Sequence, residues 1–295
     1  FSRQLADERP PTSIWTDSKT DSEPPDGDAK SLNALGVGAP ISLSDTGYFG
    51  WRGDGARQAH YLLCDAGAIG PDYLPGHAHG DIFSFELSLN GQRVITDNGV
   101  YNYKLSAERD YCRSTAAHNT VEIEDGDQCE FWGVFRVGRR GRPLDVTYKA
   151  HESGFHLTGW HDGYRHLPGR PTHRRDFTWD AAGVLLIRDT VDASKSVRCT
   201  SRLHFDPCCK LNISSSNAVQ VVYPVGRFDI AIPTPGNGRF SQSESDSFPK
   251  MGLRLRRPCI SLTWQSDEGP AGWCISTLPI DSFDVAHGAV ISGRT

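Results

Sequence analysis

The chain has 295 residues, a formal net charge of -5, 37% hydrophobic residues, and 30 glycines and 18 prolines against a single methionine. That length and apolar content suit one large domain or two modest ones, and the glycine and proline usage suits a turn-rich all-β chain rather than a helical bundle. The acidic balance excludes a global nucleic-acid-binding surface, and no run approaches the roughly 20 apolar residues of a membrane helix.

Residues 1–40 are polar, with Pro10-Pro11 and Pro24-Pro25 framing Asp17-Ser18-Lys19-Thr20-Asp21-Ser22-Glu23. Such a composition buries little apolar surface and predicts a linker or draped arm, which implies a further segment upstream. Residue 1 is Phe with no basic-then-apolar leader, so the chain reads as a processed product or a fragment. From Thr46 onward, short strand-like runs alternate with turn signals, beginning with 48–52 and 60–65. A hairpin follows, 82–89 and 93–97, joined at Asn90-Gly91. Segment 105–113 is the candidate for one short helix. Further strands are predicted at 120–124, 130–137, 144–149, 155–160, 174–179, 184–191, 198–205, 219–223, 228–232, 260–264 and 273–277. Their number and spacing predict an all-β fold, a large antiparallel β-sandwich over residues 41–295. Arg136, Arg139, Arg140 and Arg142, and separately Arg174-Arg175, are local basic clusters that suit either an anionic ligand or solvated loops. Eight cysteines, none in a C-x-x-C pair, argue against a zinc ribbon or thioredoxin-type site and leave the redox compartment open.

Chemistry-bearing residues concentrate in Gly76-His77-Ala78-His79-Gly80-Asp81 and in Arg109-Asp110-Tyr111-Cys112-Arg113-Ser114-Thr115-Ala116-Ala117-His118-Asn119-Thr120. Histidine is the commonest metal ligand and the usual proton carrier near neutral pH. In extended backbone His77 and His79 project to the same side, so two imidazoles can address one site. A carboxylate or third histidine would complete a zinc set, and Asp97 and His118 are placed to serve. A two-residue turn pairs Asp97 with Ser84, on the wrong face, whereas a three-residue turn with a bulge sets it opposite Phe85, sharing the parity of His79. Periodicity therefore permits the site without requiring it, and ordinary hydrogen-bonded histidines are the alternative. A metallo-β-lactamase set would need a histidine where Ile82 stands, and an amidohydrolase set would need a β/α barrel.

Asp72-Tyr73-Leu74-Pro75-Gly76-His77-Ala78-His79-Gly80-Asp81, Phe83-Ser84-Phe85-Glu86-Leu87, Asp97-Asn98-Gly99-Val100-Tyr101 and Arg113 to Thr120 resemble the heparinase II/III family of polysaccharide lyases. Glu130-Phe131-Trp132-Gly133, Phe135 to Arg140, His161-Asp162-Gly163-Tyr164 and His173-Arg174-Arg175 continue the resemblance, which runs from about residue 45 to about 206. It implies a supersandwich-like β domain that in the family packs on an amino-terminal α/α toroid; no toroid is present in this sequence. Related enzymes cleave uronic-acid polysaccharides by β-elimination and hold a zinc ion in the sandwich. Carried over residue by residue, the resemblance implies His79, Asp97 and His118 as ligands of a structural zinc and His77 as a catalytic group facing the substrate uronate.

β-Elimination removes the proton at C5 beside the carboxylate and expels the oxygen at C4. It therefore needs donors aimed at the carboxylate and a base and acid within reach. Tyr111 is the candidate phenol, with Tyr101 behind it; either could instead be an edge-packing aromatic. Arg113 has the planar fork that pairs a carboxylate, or forms an ion pair with Asp110 or Glu108, and Asn119 is a further substrate-binding candidate. The expected function is the sandwich part of a lyase acting on an acidic polysaccharide, needing a helical partner domain for full activity. The alternative is a non-catalytic, zinc-stabilised carbohydrate-binding or scaffold domain, with Trp132, Trp160 and Tyr164 stacking on sugars. A metal-dependent hydrolase is a third reading. A periplasmic or secreted location is expected, with no nucleic-acid partner; heparin-like glycans, alginate and bacterial exopolysaccharides all fit as substrate.

Overall fold

A computed structural model describes residues 38–215, 217–232 and 238–278, together with the backbone of 283–284 and 289–290. Nearly all of the predicted arm therefore lies outside the described residues. The chain begins with β1 (Ala39–Leu43), β2 (Tyr48–Arg52), β3 (Tyr61–Asp65), β4 (Phe85–Leu89) and β5 (Gln92–Ile95). Helix α1 (Ala107–Arg113) and a 3-10 turn, Thr115–Ala117, lead into β6 (Val121–Ile123) and the hairpin β7 (Cys129–Trp132) and β8 (Arg136–Arg140). Next come β9 (Pro143–His151), β10 (Gly154–His161), β11 (Thr172–Asp180), β12 (Val184–Asp192), β13 (Arg198–His204), β14 (Lys210–Ser215), β15 (Ala218–Tyr223) and β16 (Gly226–Ala231). The long hairpin β17 (Arg239–Lys250) and β18 (Leu253–Gln265), then β19 (Ala271–Ser276), follow, with a two-residue pair, β20 (Phe283–Asp284) and β21 (Ala289–Val290).

An eight-stranded sheet, in the order β14-β15-β16-β19-β12-β11-β10-β9, forms one layer. The meander β1 to β5 and the sheet β17-β18-β13-β6 cover it, joined to each other by a bridge between Ile95 and Phe205. Every ladder between these strands is antiparallel. Alternation explains the burial: Phe155 and Leu157 of β10, Phe177 and Trp179 of β11, and Leu62 and Cys64 of β3 all face one continuous core. Phe85 meets Phe177 edge-on at 5.8 Å, and Phe49 stacks on Tyr148 at 5.1 Å, across the first interface. Trp273 of β19 donates its indole N–H to Ser201 of β13 at 2.9 Å across the second. No helix among the described residues is long and apolar enough to cross a membrane.

The turn Asn90-Gly91 has φ values of 50° and 73°, the left-handed pair of a two-residue hairpin. The register then shifts at Val94, so that Leu87 faces Ile95 while Ser88 faces Arg93. This bulge sets up the register in which Asp97 falls opposite Phe85, by a route other than the longer turn expected. Residues 82–84 are not strand: Ser84 N–H donates to Asp81 O, Phe83 has φ 60°, and the Gln128 side chain bonds both the N–H and the C=O of Ile82. The single strand expected over 130–137 is instead the β7–β8 hairpin, turning at Gly133 with φ 58°. β1, β14 and β17 lie outside the predicted strands: β17 is a run of Ser, Gln, Glu and Asp with no apolar alternation, whereas β1 and β14 alternate only over Ala39, Ile41 and Leu43 and over Leu211 and Ile213, too short a run to stand out.

A charged group crosses the core beneath the 82–84 turn. Arg175 grips Asp189 through Nε at 2.7 Å and Nη2 at 2.9 Å, and its Nη1 donates to the carbonyls of Phe83 and Asn119. His173 meets the same carboxylate at 2.8 Å and His161 at 3.0 Å, and all of these side chains are buried. Arg175 is thus a core residue and contributes nothing to an anion-binding surface. Arg139 and Arg140 of the other basic cluster are likewise bonded to main-chain carbonyls, at Gly163 and at Ile69 and Gly70.

Candidate metal centre and substrate face

The loop 76–81 is fixed from both sides before it presents any side chain. Gly80 N–H donates to Arg113 O, and a Cβ on Gly80 would lie 2.5 Å from Thr115 Oγ1, so the loop runs hard against the 3-10 turn that precedes His118. Ser106 caps α1 by accepting from Arg109 N–H, and the helix ends where Ser114 N–H returns to Asp110 O. This brings His79, Asp81 and His118 together, with one ligand atom from each within 4.8 Å of the others. The rings of His79 and His118 lie 5.3 Å apart.

Asp97 approaches from the hairpin end. Its Oδ2 lies 2.6 Å from His118 Nδ1, and its Oδ1 accepts from Gly99 N–H. His118 Nε2 faces the Cys112 carbonyl at 3.1 Å. Both partners of the His118 ring are acceptors, so both nitrogens carry protons and the ring is an imidazolium. Burial alone would lower the pKa of His118, but the Asp97 carboxylate raises it. Burial likewise works against ionised Asp97, and the His118 charge and hydrogen bond nonetheless hold its carboxyl far below the usual range. Desolvation, helped by the neighbouring His118 charge, lowers His79 to about 3, leaving a neutral imidazole with a lone pair to give. Burial pushes Asp81 upward, and behind it Asp65 rises to about 7 through burial and the Asp81 charge. The set gathered within 4.8 Å thus holds Asp81, and Asp97 joins it only through its contact with His118. Two imidazoles with a carboxylate fit zinc, and the Nε2 contact to Cys112 is the kind of outer hydrogen bond that aims Nδ1 at an ion.

His77 lies on the exposed side of the loop, two residues from His79 and away from the cluster. Its ring sits edge-on to Tyr103 at 5.1 Å and to Phe135 at 5.9 Å. Those two rings stack on each other at 5.8 Å, and the buried Arg109 guanidinium lies 5.0 Å from the Tyr103 ring while donating to Gly76 O. Tyr103 and Phe135 went unremarked as surface residues in the sequence, since neither stands beside a histidine in it.

The expected substrate residues Arg113 and Asn119 and the expected catalytic Tyr111 are placed elsewhere. Arg113 is buried, and its guanidinium donates to the carbonyls of Ala78, Gly133, Val134 and Arg136 while lying 4.4 Å from the Phe131 ring. It is therefore a brace rather than a carboxylate clamp, and no acidic side chain among the described residues pairs with it. Asn119 is buried too: its amide donates to Phe85 O and Thr96 O and accepts from His204 N–H. Tyr111 is two residues from both Arg109 and Arg113, so the helical turn points it to the opposite side of α1, against Phe248 and into a cleft with His204 and Ser245. It is not part of the His77 face. Of the stacking candidates, Tyr164 is in the core with its hydroxyl on Val121 O, and Trp160 bonds Asp145 beneath Arg165. Trp132 is exposed.

The family description "Heparinase II/III-like, C-terminal" matches residues 37–271. Among solved structures, the fold is similar to that of the heparan sulfate lyase HepC from Pedobacter heparinus, with a TM-score of 0.67 and 16% identity over 80% of this chain. It is similar at the same TM-score and 17% identity to the heparinase III-BT4657 gene product, and at 0.63 and 15% to a further heparinase III. At these identities the likeness establishes the fold, and this chain spans 36% of the length of each. Comparison with curated proteins gives no match. The chain belongs to the heparinase II/III-like family, of which it carries the C-terminal β-sandwich domain.

Proposed function

We propose that this chain is the β-sandwich part of a lyase that cleaves a uronic-acid polysaccharide by β-elimination, completed by a helical domain outside the sequence. The observation that carries the reading is the division of one loop into two faces, His79 inward on a metal-ligand cluster and His77 outward among Tyr103 and Phe135. His79, Asp97 and His118 are the zinc ligands of this reading. Bound there, the ion would supply a rigid cross-link between the 76–81 loop, the end of the β4–β5 hairpin and the segment after α1.

The chain's own residues then act at the surface. Tyr103 and Phe135 flank His77 with aromatic surface against which a sugar ring can lie, and Arg109 fixes that pair from beneath. His77, held edge-on between them, donates to the uronate carboxylate or carries a proton at the scissile centre. The base or acid that completes the reaction comes from the helical domain, since Tyr111 faces away. Such polymers are met outside the cytoplasm, which supports a periplasmic or secreted location.

The test has two arms. Elemental analysis of the purified chain is expected to show one zinc, lost in His79→Ala and His118→Ala; a chain free of stoichiometric metal removes the zinc from the reading. The chain alone is expected to release no unsaturated uronate, detected by ultraviolet absorbance, whereas the chain joined to a family helical domain releases it and His77→Ala in that fusion does not. Hydrolytic products, or binding without cleavage in the fusion, would remove the lyase reading.

A further inference from the structure

We propose that Asp81 is the fourth protein ligand of that ion, so that His79, Asp81, Asp97 and His118 close the site and leave no coordination position for water or substrate. The inference rests on the zinc reading above and extends it to a residue to which that reading gives no role. Ligand atoms on a tetrahedral zinc with bonds of about 2.0–2.1 Å stand roughly 3.3 Å apart. The atoms of His79, Asp81 and His118 already lie within 4.8 Å of one another, so closing on an ion takes a contraction of no more than about 1.5 Å between any two. Asp97 Oδ2 and His118 Nδ1, now 2.6 Å apart across a proton, need to open by less than about 1 Å to hold an ion in its place.

The backbone holds Asp81 in position for this. Gly80 N–H is bonded to Arg113 O on one side of it, and Asp81 O accepts Ser84 N–H on the other. The close approach of Gly80 to Thr115 seats the loop directly against the 3-10 turn that precedes His118. Among the described residues no arginine or lysine forms an ion pair with Asp81. A dication held by Asp81, Asp97 and two neutral imidazoles leaves no net charge, the balance a buried site favours. A four-ligand set of this kind is structural, whereas catalytic zinc keeps an open position.

Cobalt(II) substituted for zinc in the whole chain reads this directly. The visible bands are expected to be those of a tetrahedral ion and to stay unchanged on adding azide or thiocyanate. In Asp81→Asn, near in shape to the native residue, azide is expected to shift the bands and zinc affinity to fall on the order of 10- to 100-fold against a chelating dye. Asp81→Ala, checked for native near-ultraviolet dichroism, should do the same. Azide-sensitive bands in the unmodified chain overturn the closed site while leaving the zinc reading intact, and that result needs no variant. Azide-insensitive bands and unchanged affinity in Asp81→Asn overturn the role of Asp81. A chain that binds neither metal overturns both.

Discussion

Arg175 contacts one carboxylate and two carbonyls from a position with no water around it. Removing a single member of such a group leaves the rest charged or unpaired in the core, a larger penalty than the net worth of the pair. Arg175→Ala is expected to lower unfolding free energy by about 3–5 kcal/mol in urea titrations. Asn119→Ala leaves His204 N–H and two carbonyls without their partner and should cost on the order of 1–3 kcal/mol. Affinity of the folded Asn119 variant for uronate oligosaccharides is expected to be unchanged, as measured by calorimetry. Selective loss of binding would restore Asn119 to the substrate surface. Both residues show where sequence reading stopped: a planar polar side chain has the same letters whether its partners are a ligand or distant carbonyls. His79 and His118 were legible because their spaced motifs carry the resemblance. Asp81 stood in view, at the same parity as His79, but the resemblance rather than periodicity selected Asp97 in its place.

The hairpin β4–β5 and helix α1 show how an element aims several residues at once. The turn at Asn90-Gly91 was legible from its dipeptide, but the bulge at Val94, which brings Asp97 into register, has no signature in a run of Gln, Arg, Val and Ile. In α1, half a turn of phase separates Tyr111 from Arg109 and Arg113, and sequence proximity to His118 hid that difference. Arg113 ties the 76–81 loop to the β7–β8 hairpin through carbonyls on both. Lysine keeps the charge but loses the fork. Arg113→Lys is therefore expected to cost about 1–3 kcal/mol and to speed amide exchange in 76–80 and 131–137 together. Exchange that rises in only one of the two segments would show that the arginine does not couple them.

Across the whole molecule, the fold class followed from strand number and turn spacing, while the division of the covering layer into two sheets did not, since bridges such as Ile95 to Phe205 link residues far apart in the chain. Three fully buried histidines, His161, His173 and His204, have their pKa values lowered, in each case chiefly by burial. The unfolded chain binds protons at these positions below about pH 6.5 while the folded chain does not, so their stabilisation is complete above that pH and declines beneath it. His79, lowered to about 3, acts with them, whereas His118, Asp65 and Asp81, whose pKa values are raised, work in the opposite sense. Asp189 adds its own loss as pH falls below the ordinary carboxylate range. The unfolding free energy from urea titrations is therefore expected to hold near pH 7.5 and to fall from pH 6.5 to 5 with a slope of up to about 4 kcal/mol per pH unit, the midpoint falling with it. A midpoint flat across that interval would mean that these histidines are protonated in the folded chain.

The eight thiols turn this same core into its own stopwatch. None is paired, and only Cys208 is more than marginally accessible. Burial raises them all, so each is protonated and unreactive while the strands stay closed. Cys64 lies in the five-stranded sheet, Cys199 and Cys259 in the four-stranded sheet, and Cys274 in the eight-stranded sheet. Mass-resolved alkylation under mild denaturant thus timestamps each layer separately, without an introduced label. Simultaneous labelling would show the two covering sheets opening as one body; staggered labelling would show which leaves first.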